Sequence, residues 1–272
     1  MKPRPFDYIR PDTVEEAVAL LADYGEDARV LAGGQSLVPM LNLRLIEARA
    51  LIDISHIAAL DIIREVDGSI EIGAAVTQNK LMAWPQLATK LPLVAAALPF
   101  VGHFQTRNKG TVCGSIAHAD PSSELPLTLA VTAGEIVLRS RRGERVLAAG
   151  DFQKDMLTTA RAGDELIAAA RFPVANGSGI AFREVARRHG DFAIIAVAAQ
   201  ADDKDAVRLG VGGMAGRPMV RRFAAKDAAD AVAAWAEELE GYEDLHASAA
   251  LRRDLFRNLS PLAIEEALRC AA

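Results

Sequence analysis

Cysteine is scarce in this sequence, and its scarcity excludes several kinds of redox centre. The 272 residues include two cysteines, Cys113 and Cys270, which lie far apart along the chain. A reducing compartment would keep both as thiols. An iron–sulfur cluster held by four cysteines, or a cysteine-rich zinc site, cannot be built from two thiols. Any such metal chemistry must therefore lie on another chain.

Long apolar runs and an excess of basic charge are also missing. The longest apolar stretch, residues 91–102, contains two prolines and is shorter than the roughly 20 residues that span a bilayer. The first residues contain no apolar signal core. A net charge of −5 disfavours a nucleic-acid surface. We therefore expect a cytoplasmic protein with no membrane insertion and no nucleic-acid partner, whose 51% hydrophobic residues can fill a large core.

Two stretches rich in small residues form the most informative pattern. Residues 31–37 include Gly33 and Gly34 directly after a predicted strand, and residues 111–126 begin with small residues and end with Asp120 and Glu124. Small side chains let backbone N–H groups approach a ligand closely, which suits phosphates. The two acids can accept hydrogen bonds from ribose or ring N–H groups. We therefore predict two loops that form the two sides of one nucleotide site.

Other interpretations of these stretches are open at this point. Gly33 and Gly34 lack the spacing of the Gly-x-Gly-x-x-Gly fingerprint, so an ordinary turn is equally consistent with them. Ser115, His118 and Asp120 could suggest hydrolysis or a metal, but the members of a catalytic triad come from separate segments. Residues 187–192 are consistent either with an exposed hairpin loop or with a ring held beside a ligand.

Local signals predict most of the secondary structure. Thr13 and Glu16 have the spacing of a capping box for a helix that ends near Gly25, and Thr77 can cap another. Hairpins are predicted around Asp67-Gly68 and around residues 140–144. Three strand-like runs follow at residues 180–185, 194–199 and 207–211, and then helices at 225–239 and 247–268. The order of these elements and the break at residues 173–179 divide the chain into segments 1–54, 55–176 and 177–272.

Taken together, these motifs resemble the FAD-binding medium subunit of the molybdenum hydroxylase family. The resemblance rests on Ala32-Gly33-Gly34-Gln35-Ser36-Leu37, on Thr111 to Ser115 with the following Ala117-His118-Ala119-Asp120-Pro121, and on residues 186–192. This family includes carbon monoxide dehydrogenase, quinoline oxidoreductase and the flavin domain of xanthine dehydrogenase. The resemblance covers nearly the whole chain.

The resemblance implies an α+β fold of the vanillyl-alcohol-oxidase type. Segments 1–54 and 55–176 would be two α/β subdomains that hold FAD, and segment 177–272 would be a three-stranded antiparallel sheet with helices. The residues that would bind FAD are Val30, Leu31, Ala32, Gly33, Gly34, Gln35, Ser36, Leu37, Val101, Thr111, Gly114, Ser115, His118, Asp120, Glu124, Leu166, Ile167, Arg183 and Phe192. Residues 30–37 would surround the diphosphate, Leu166 or Ile167 would lie near the adenine, and Arg183 and Phe192 near the flavin.

One residue departs from the family pattern. Cys113 occupies a position where glycine is usual, and a positive φ there would strain a cysteine by about 1 kcal/mol or more. We expect an extended conformation instead. A small buried residue is the favoured interpretation of Cys113 over a reactive thiol.

The resemblance also implies an electron-transfer function. A large subunit with molybdopterin would hydroxylate the substrate, a small subunit with [2Fe–2S] clusters would relay electrons, and FAD on this chain would pass them to an external acceptor. The assembly implied is a dimer of heterotrimers. The alternatives are a self-sufficient FAD-dependent oxidoreductase with its own substrate and a flavin-free scaffold. Neither the substrate nor the acceptor is specified by this sequence.

Overall fold

The structure, a computed structural model, describes residues 2–202 and 205–271. It has an α+β architecture whose strands form three sheets and a short hairpin. The strands are β1 (Asp7–Ile9), β2 (Ala28–Leu31), β3 (Ala50–Asp53), β4 (Ile63–Val66), β5 (Ser69–Gly73), β6 (Glu135–Ser140), β7 (Gly143–Ala148), β8 (Gln153–Asp155), β9 (Thr158–Thr159), β10 (Leu166–Pro173), β11 (Gly179–Val185), β12 (Ile195–Ala201), β13 (Ala206–Gly212) and β14 (Met219–Ala224). The α-helices are α1 (Val14–Tyr24), α2 (Leu37–Asn42), α3 (Gln78–Met82), α4 (Leu87–Lys90), α5 (Pro92–Ala97), α6 (Phe104–Arg107), α7 (Val112–His118), α8 (Glu124–Val131), α9 (Ala149–Phe152), α10 (Ala228–Glu238) and α11 (Ala249–Cys270).

The first sheet is small and parallel, with the strand order β1-β3-β2. Helix α1 connects β1 to β2 and buries an apolar face on this unit. Its start is the predicted cap, because the Thr13 hydroxyl accepts a hydrogen bond from the Glu16 N–H, and it ends at Gly25. Strand β2 leads directly into the first glycine loop, which we define as residues 33–37.

The second sheet has five antiparallel strands in the order β4-β5-β10-β6-β7. Both predicted hairpins are confirmed. Asp67 and Gly68 have φ angles of 49° and 74°, which is the left-handed pair that a tight hairpin turn needs. Strands β6 and β7 pair around the second turn. The sheet brings β10 to its centre, next to α7.

The segment predicted as a long loop, residues 111–126, is mostly helical, so that prediction was wrong. Thr111 caps α7 with its side chain, and Ala119 ends that helix in the left-handed conformation at φ 54°. Helix α8 then begins at Glu124. Cys113 is in the first turn of α7, so its expected extended conformation was also wrong. The buried side chains of Val112 and Ile116 explain why tertiary packing favours a helix in a glycine-containing segment.

The third sheet has four antiparallel strands, β11 to β14, where three were expected. The missed strand, β14, carries Arg221 and Arg222 at its centre, which obscure the alternation of apolar and polar residues. It lies at the sheet edge and pairs with β13. The predicted helices at 225–239 and 247–268 are confirmed as α10 and α11, and α11 packs on β11, β12 and β13.

Three hydrophobic clusters hold these layers together. The largest extends from Val14 to Phe172, so the first two sheets share one core. A second cluster lies between the third sheet and α10 and α11. The third joins Leu93 and Leu127 to Ala193 and to alanines of β12. Among the described residues, no helix is both long enough and apolar enough to span a bilayer.

Candidate functional site

A cavity of about 610 Å³ lies where the first glycine loop, α7, β10 and residues 190–192 meet. Sixteen of the residues predicted to bind a cofactor line it. They are Val30, Ala32, Gly33, Gly34, Gln35, Ser36, Leu37, Val101, Thr111, Gly114, Ser115, His118, Glu124, Leu166, Ile167 and Phe192. Residues separated by more than 150 positions along the chain are therefore brought to one space.

The first glycine loop supplies unused backbone donors to this cavity. In the described part of the chain, the N–H groups of residues 33–36 donate to no protein acceptor. The loop keeps its shape through other contacts: the Gln35 side-chain amide donates to the Gly33 carbonyl at 3.1 Å, and the Val38 N–H donates to the Gly34 carbonyl at 3.1 Å. A series of free N–H groups at a cavity wall is suited to binding phosphate oxygens.

The two glycine-bearing segments touch at Gly33. A Cβ atom placed on Gly33 would lie 2.1 Å from the carbonyl oxygen of Lys109 and 2.7 Å from Gly110 Cα. Such separations are far inside van der Waals contact, so glycine is required by packing at this position. Residues 109 and 110 lead directly into Thr111 and α7. The expectation that the two segments form two sides of one space therefore agrees with their placement.

Thr111 fixes the first turn of α7 at the cavity. Its hydroxyl accepts a hydrogen bond from the Gly114 N–H at 2.9 Å, and its carbonyl accepts one from the Ser115 N–H at 3.2 Å. A Cβ on Gly114 would lie 2.7 Å from the Thr111 hydroxyl oxygen. Gly114 thus lets the cap close tightly, while Ser115 and His118 extend the same helix along the cavity.

A buried carboxyl forms part of the wall beyond α7. Glu124 is 3% exposed, and its burial raises its pKa to about 7, with a further contribution from the charge of Asp120. Burial, together with the charge of Glu124, raises the pKa of Glu184 to about 8. Burial lowers the pKa of His118. These side chains are therefore held toward their neutral forms, which can exchange hydrogen bonds with hydroxyl and amide groups.

Cys113 also lines the cavity, and burial disfavours its thiolate form. Its side chain is buried, and burial raises its pKa to about 12. The thiol donates to the carbonyl of Ile72 at 3.4 Å. Since the thiolate is the reactive form, the favoured sequence interpretation, a small buried residue, is confirmed.

The cavity residues that the sequence analysis missed include three with long polar side chains: Arg29, Gln78 and Arg161. The Arg161 Nη1 donates to the carbonyls of Ala162 and Glu165, and burial lowers the pKa of this guanidinium. The Gln78 Oε1 is buried and accepts no hydrogen bond from the described residues. A basic residue just before β10 and a glutamine just after the Thr77 cap were the available signals.

Phe192 and Val101 line the cavity from two separate segments, the loop between β11 and β12 and the turn at Gly102. Phe192 is 55% exposed, whereas Val101 is buried. Gly190, with φ +87°, lets the loop between β11 and β12 approach the turn at Gly102, because a Cβ there would lie 2.7 Å from the ring of His103. The two interpretations of residues 187–192 are thus combined: the loop is exposed, and its last residues line the cavity.

Three predicted residues are not among those that line the cavity. The Leu31 side chain packs beside Gly34, 3.2 Å from where a Cβ would be. The Asp120 carboxylate accepts a hydrogen bond from the Ser122 N–H at 2.8 Å. Arg183 is on β11, and its Nη2 donates to the Glu266 carboxylate of α11 at 2.7 Å. The side chains of these three residues are therefore held away from the cavity lining by packing or by hydrogen bonds.

This geometry agrees with sequence comparison. Residues 4–175 match the family model of the FAD binding domain in molybdopterin dehydrogenase. The chain belongs to this family. The match includes both glycine-bearing segments, α7 and β10, and therefore most of the cavity wall.

Curated relatives and solved structures extend the similarity beyond that domain. The chain is 34% identical over 285 residues to the nicotine 6-hydroxylase medium subunit of Paenarthrobacter nicotinovorans, covering 98% of this chain and 99% of that one. It is 42% identical over 195 residues to the 6-hydroxypseudooxynicotine dehydrogenase complex subunit alpha of the same organism, covering 71% of this chain and 66%, just under two thirds, of that relative. Among solved structures, carbon monoxide dehydrogenase from Hydrogenophaga pseudoflava superposes with a TM-score of 0.93 at 31% identity over 100% of both chains. Quinoline 2-oxidoreductase from Pseudomonas putida 86 gives a TM-score of 0.91 at 31% identity over 99% of both.

The predicted resemblance to FAD-binding medium subunits of molybdenum hydroxylases is confirmed by these comparisons. The description of the family names FAD, and these relatives are named as hydroxylases and dehydrogenases, which are oxidoreductases. The cavity also suits FAD on structural grounds. It combines backbone N–H groups that have no acceptor among the described residues, a position at Gly33 where no side chain fits, and apolar side chains on β10.

Proposed function

We propose that this chain is the FAD-binding electron-transfer subunit of a heteromeric molybdenum hydroxylase. It would receive electrons from [2Fe–2S] clusters on a partner and pass them to an external acceptor. The observation that carries this proposal is the row of free N–H groups at residues 33–36, packed at Gly33 against the backbone that leads into α7. This arrangement suits the diphosphate of a dinucleotide.

The residues of the cavity take distinct parts in this proposal. The first glycine loop binds the diphosphate, and Thr111, Gly114 and Ser115 continue that wall. Glu124 and His118 hydrogen-bond to hydroxyl or ring groups of the cofactor. The aliphatic side chains of Leu166 and Ile167 contact its adenine side, while Val101 and Phe192 contact the flavin side. When bound, FAD can accept electrons singly and release them in pairs.

Partner subunits are part of the proposal. A large subunit would carry molybdopterin and a small subunit the [2Fe–2S] clusters, assembled in the cytoplasm as a dimer of heterotrimers. Two cysteines, one buried in α7, leave this chain without ligands for a four-cysteine cluster. A relative matched over 98% of this chain is named a medium subunit, which supports a division of cofactors among chains.

We also propose a functional division of the chain. Residues 1–54 and 55–176 would hold the cofactor between them, and residues 177–272 would cover the flavin side. The support is that β2 and the first glycine loop come from the first segment, α7 and β10 from the second, and Phe192 from the third.

Absorbance spectroscopy of the purified full chain tests the cofactor assignment. We expect the peaks of oxidised flavin, either as purified or after addition of FAD, and at most diaphorase-like activity with artificial acceptors. A colourless protein that does not bind added FAD would contradict the proposal. Turnover of an organic substrate by the isolated chain would instead support the self-sufficient oxidoreductase.

Purification of the native complex tests the partners. We expect two further chains to co-purify, with molybdenum and iron in the same fraction as the flavin. A screen of aldehydes, purines and N-heteroaromatic compounds would then identify the substrate. Recovery of this chain alone, with FAD and without metal, would exclude the heteromeric assembly.

A further inference from the structure

Arg252 is a buried cation that the proposed cofactor chemistry does not use. It lies in the first turn of α11 and is 1% exposed. Its Nη1 donates to the carbonyls of Ile194 and Gly213, the latter at 2.9 Å. Its Nη2 donates to the Asp244 carboxylate at 2.6 Å. Burying a charge costs free energy unless hydrogen bonds compensate for it, so the partners of Arg252 indicate which segments it connects.

The first of these contacts leads to the exposed side of the cavity. Ile194 is two residues after Phe192, and its N–H donates to the Val185 carbonyl at 2.8 Å, which joins β11 to the start of β12. Asp191 and Phe192 line the cavity immediately before this point. The guanidinium therefore holds the end of the loop that carries Phe192.

The second contact leads to the acid-bearing side of the cavity. Gly213 accepts from Arg252 through its carbonyl, and its own N–H donates to the Pro121 carbonyl at 2.9 Å. Gly213 has φ +82°, and a Cβ there would lie 2.6 Å from the carbonyl oxygen of Ile194. Ser123 and Glu124, two and three residues after Pro121, line the cavity.

A third contact reaches the same segment through an aromatic ring. The Arg252 guanidinium carbon lies 4.1 Å from the centre of the Tyr242 ring. The hydroxyl of Tyr242 is 3.2 Å from that of Ser122, and the Ser122 N–H donates to Asp120. Two independent routes thus connect one guanidinium to residues 120–124, and a third connects it to residues 190–192.

We propose that Arg252 is a positioning residue for the cofactor cavity, which fixes the separation of residues 120–124 from residues 190–192 through Gly213, Tyr242 and Ile194. The inference rests on the proposed function. No atom of Arg252 needs to contact FAD for this role. Loss of a hydrogen bond in this network is expected to change the affinity for FAD and the environment of the bound flavin.

Removing Arg252 itself is a poor first test, because Asp244 would lose its ion-pair partner and the fold could fail. Two milder variants interrupt one route. Tyr242→Phe keeps the ring under the guanidinium and removes the hydroxyl, and Ser122→Ala removes the other partner of the same hydrogen bond. Arg257→Met is the matched control, because Arg257 is on the same helix and pairs at the surface with Glu237 and Asp254.

The experiment measures FAD dissociation from the full chain by flavin fluorescence, the visible circular dichroism of the bound flavin, and urea unfolding without FAD. We expect Y242F and S122A each to weaken FAD binding by roughly fivefold, the effect of one neutral hydrogen bond. The double variant should be no worse than either single one. Y242F and S122A should each alter the visible circular dichroism of the flavin. R257M should change neither the FAD affinity nor the circular dichroism.

The outcomes separate this inference from the proposed function. Failure of the wild-type chain to bind FAD would overturn both. Normal binding by the wild type, with unchanged FAD affinity and circular dichroism in Y242F and S122A, would overturn the positioning role alone, even if unfolding free energy falls. Additive losses in the double variant would also contradict it, because the two hydroxyls would then act separately.

Discussion

Gly33 and the carbonyl oxygen of Lys109 approach so closely that a methyl group at residue 33 would lie 2.1 Å from that oxygen. The oxygen belongs to backbone, so it cannot rotate away. The first glycine loop and the entry to α7 therefore have a fixed separation, which depends on the absence of a side chain.

The variant G33A is expected to force these two segments apart. Overpacking of this kind costs about 1–3 kcal/mol, so FAD affinity should fall roughly tenfold to a hundredfold. The measurement is a titration of the cofactor-free chain with FAD. G150A is the control, because a Cβ on Gly150 would meet no atom within 4 Å. Equal affinities for G33A and G150A would show that the segments can separate without consequence.

Two threonine caps allow helix stability to be separated from cofactor binding. Thr13 accepts from the Glu16 N–H at the start of α1, and Thr111 accepts from the Gly114 N–H at the start of α7. Replacing either by valine should lower the free energy of unfolding by about 1 kcal/mol. Only T111V should also weaken FAD binding, since Thr111 lines the cavity. A similar loss of affinity in T13V would contradict the assignment of α7 to the site.

The stability of the cofactor-free chain should depend on Glu124. Its pKa is raised from 4.5 to about 7 by burial, so folding favours the neutral carboxyl. This contribution is complete below the unfolded pKa of 4.5 and is lost as pH rises through about 7. The wild type should therefore lose about 2 kcal/mol more unfolding free energy than E124Q between these two pH values. Urea unfolding across that range measures the difference.

Glu15 provides the control for this experiment, because it is exposed in the first turn of α1. E15Q should follow the wild-type pH profile. Glu184 has a pKa raised to about 8, mainly by burial, so E184Q should flatten the profile over a range that extends one pH unit higher than for E124Q. Parallel profiles for wild type, E124Q and E184Q would show that neither carboxyl is held neutral.

The two cysteines should differ sharply in reactivity. Burial raises the pKa of Cys113 to about 12, whereas Cys270 is exposed near the end of α11. At pH 8, a thiol reagent should modify Cys270 more than about a hundredfold faster than Cys113. In urea both should react. Rapid modification of Cys113 in the folded chain would indicate an opening of α7 away from β5.

Local chemistry made part of the fold predictable. The cap at Thr13 and the turn at Asp67-Gly68 depend on residues within four positions of each other, so the sequence contains the whole signal. Residues 111–118 behave differently, because their helix depends on burying Val112 and Ile116 against distant strands. Their small residues indicated a close approach to a ligand but not the backbone conformation.

The candidate site was predictable where it is built from backbone and less so where it is built from side chains. The glycines at 33 and 114 mark close approaches that the structure contains. Arg161 is held at the cavity by hydrogen bonds to carbonyls of its own turn, those of Ala162 and Glu165, and a basic residue before a strand does not by itself indicate this placement. Arg183 shows the converse, because a basic residue assigned by resemblance instead pairs with Glu266 on α11.

The largest hydrophobic core has a consequence for protein engineering. It extends without a break from Val14 on α1 to Phe172 on β10, so it crosses residue 54. The first 54 residues share their hydrophobic core with the second segment. A chimera joined at residue 54 would therefore have to pack core side chains from two different proteins against each other. Exchange of flavin properties between such proteins should therefore use junctions near residue 176, where the largest cluster is transferred whole and only the small cluster around Leu93 and Leu127 is divided.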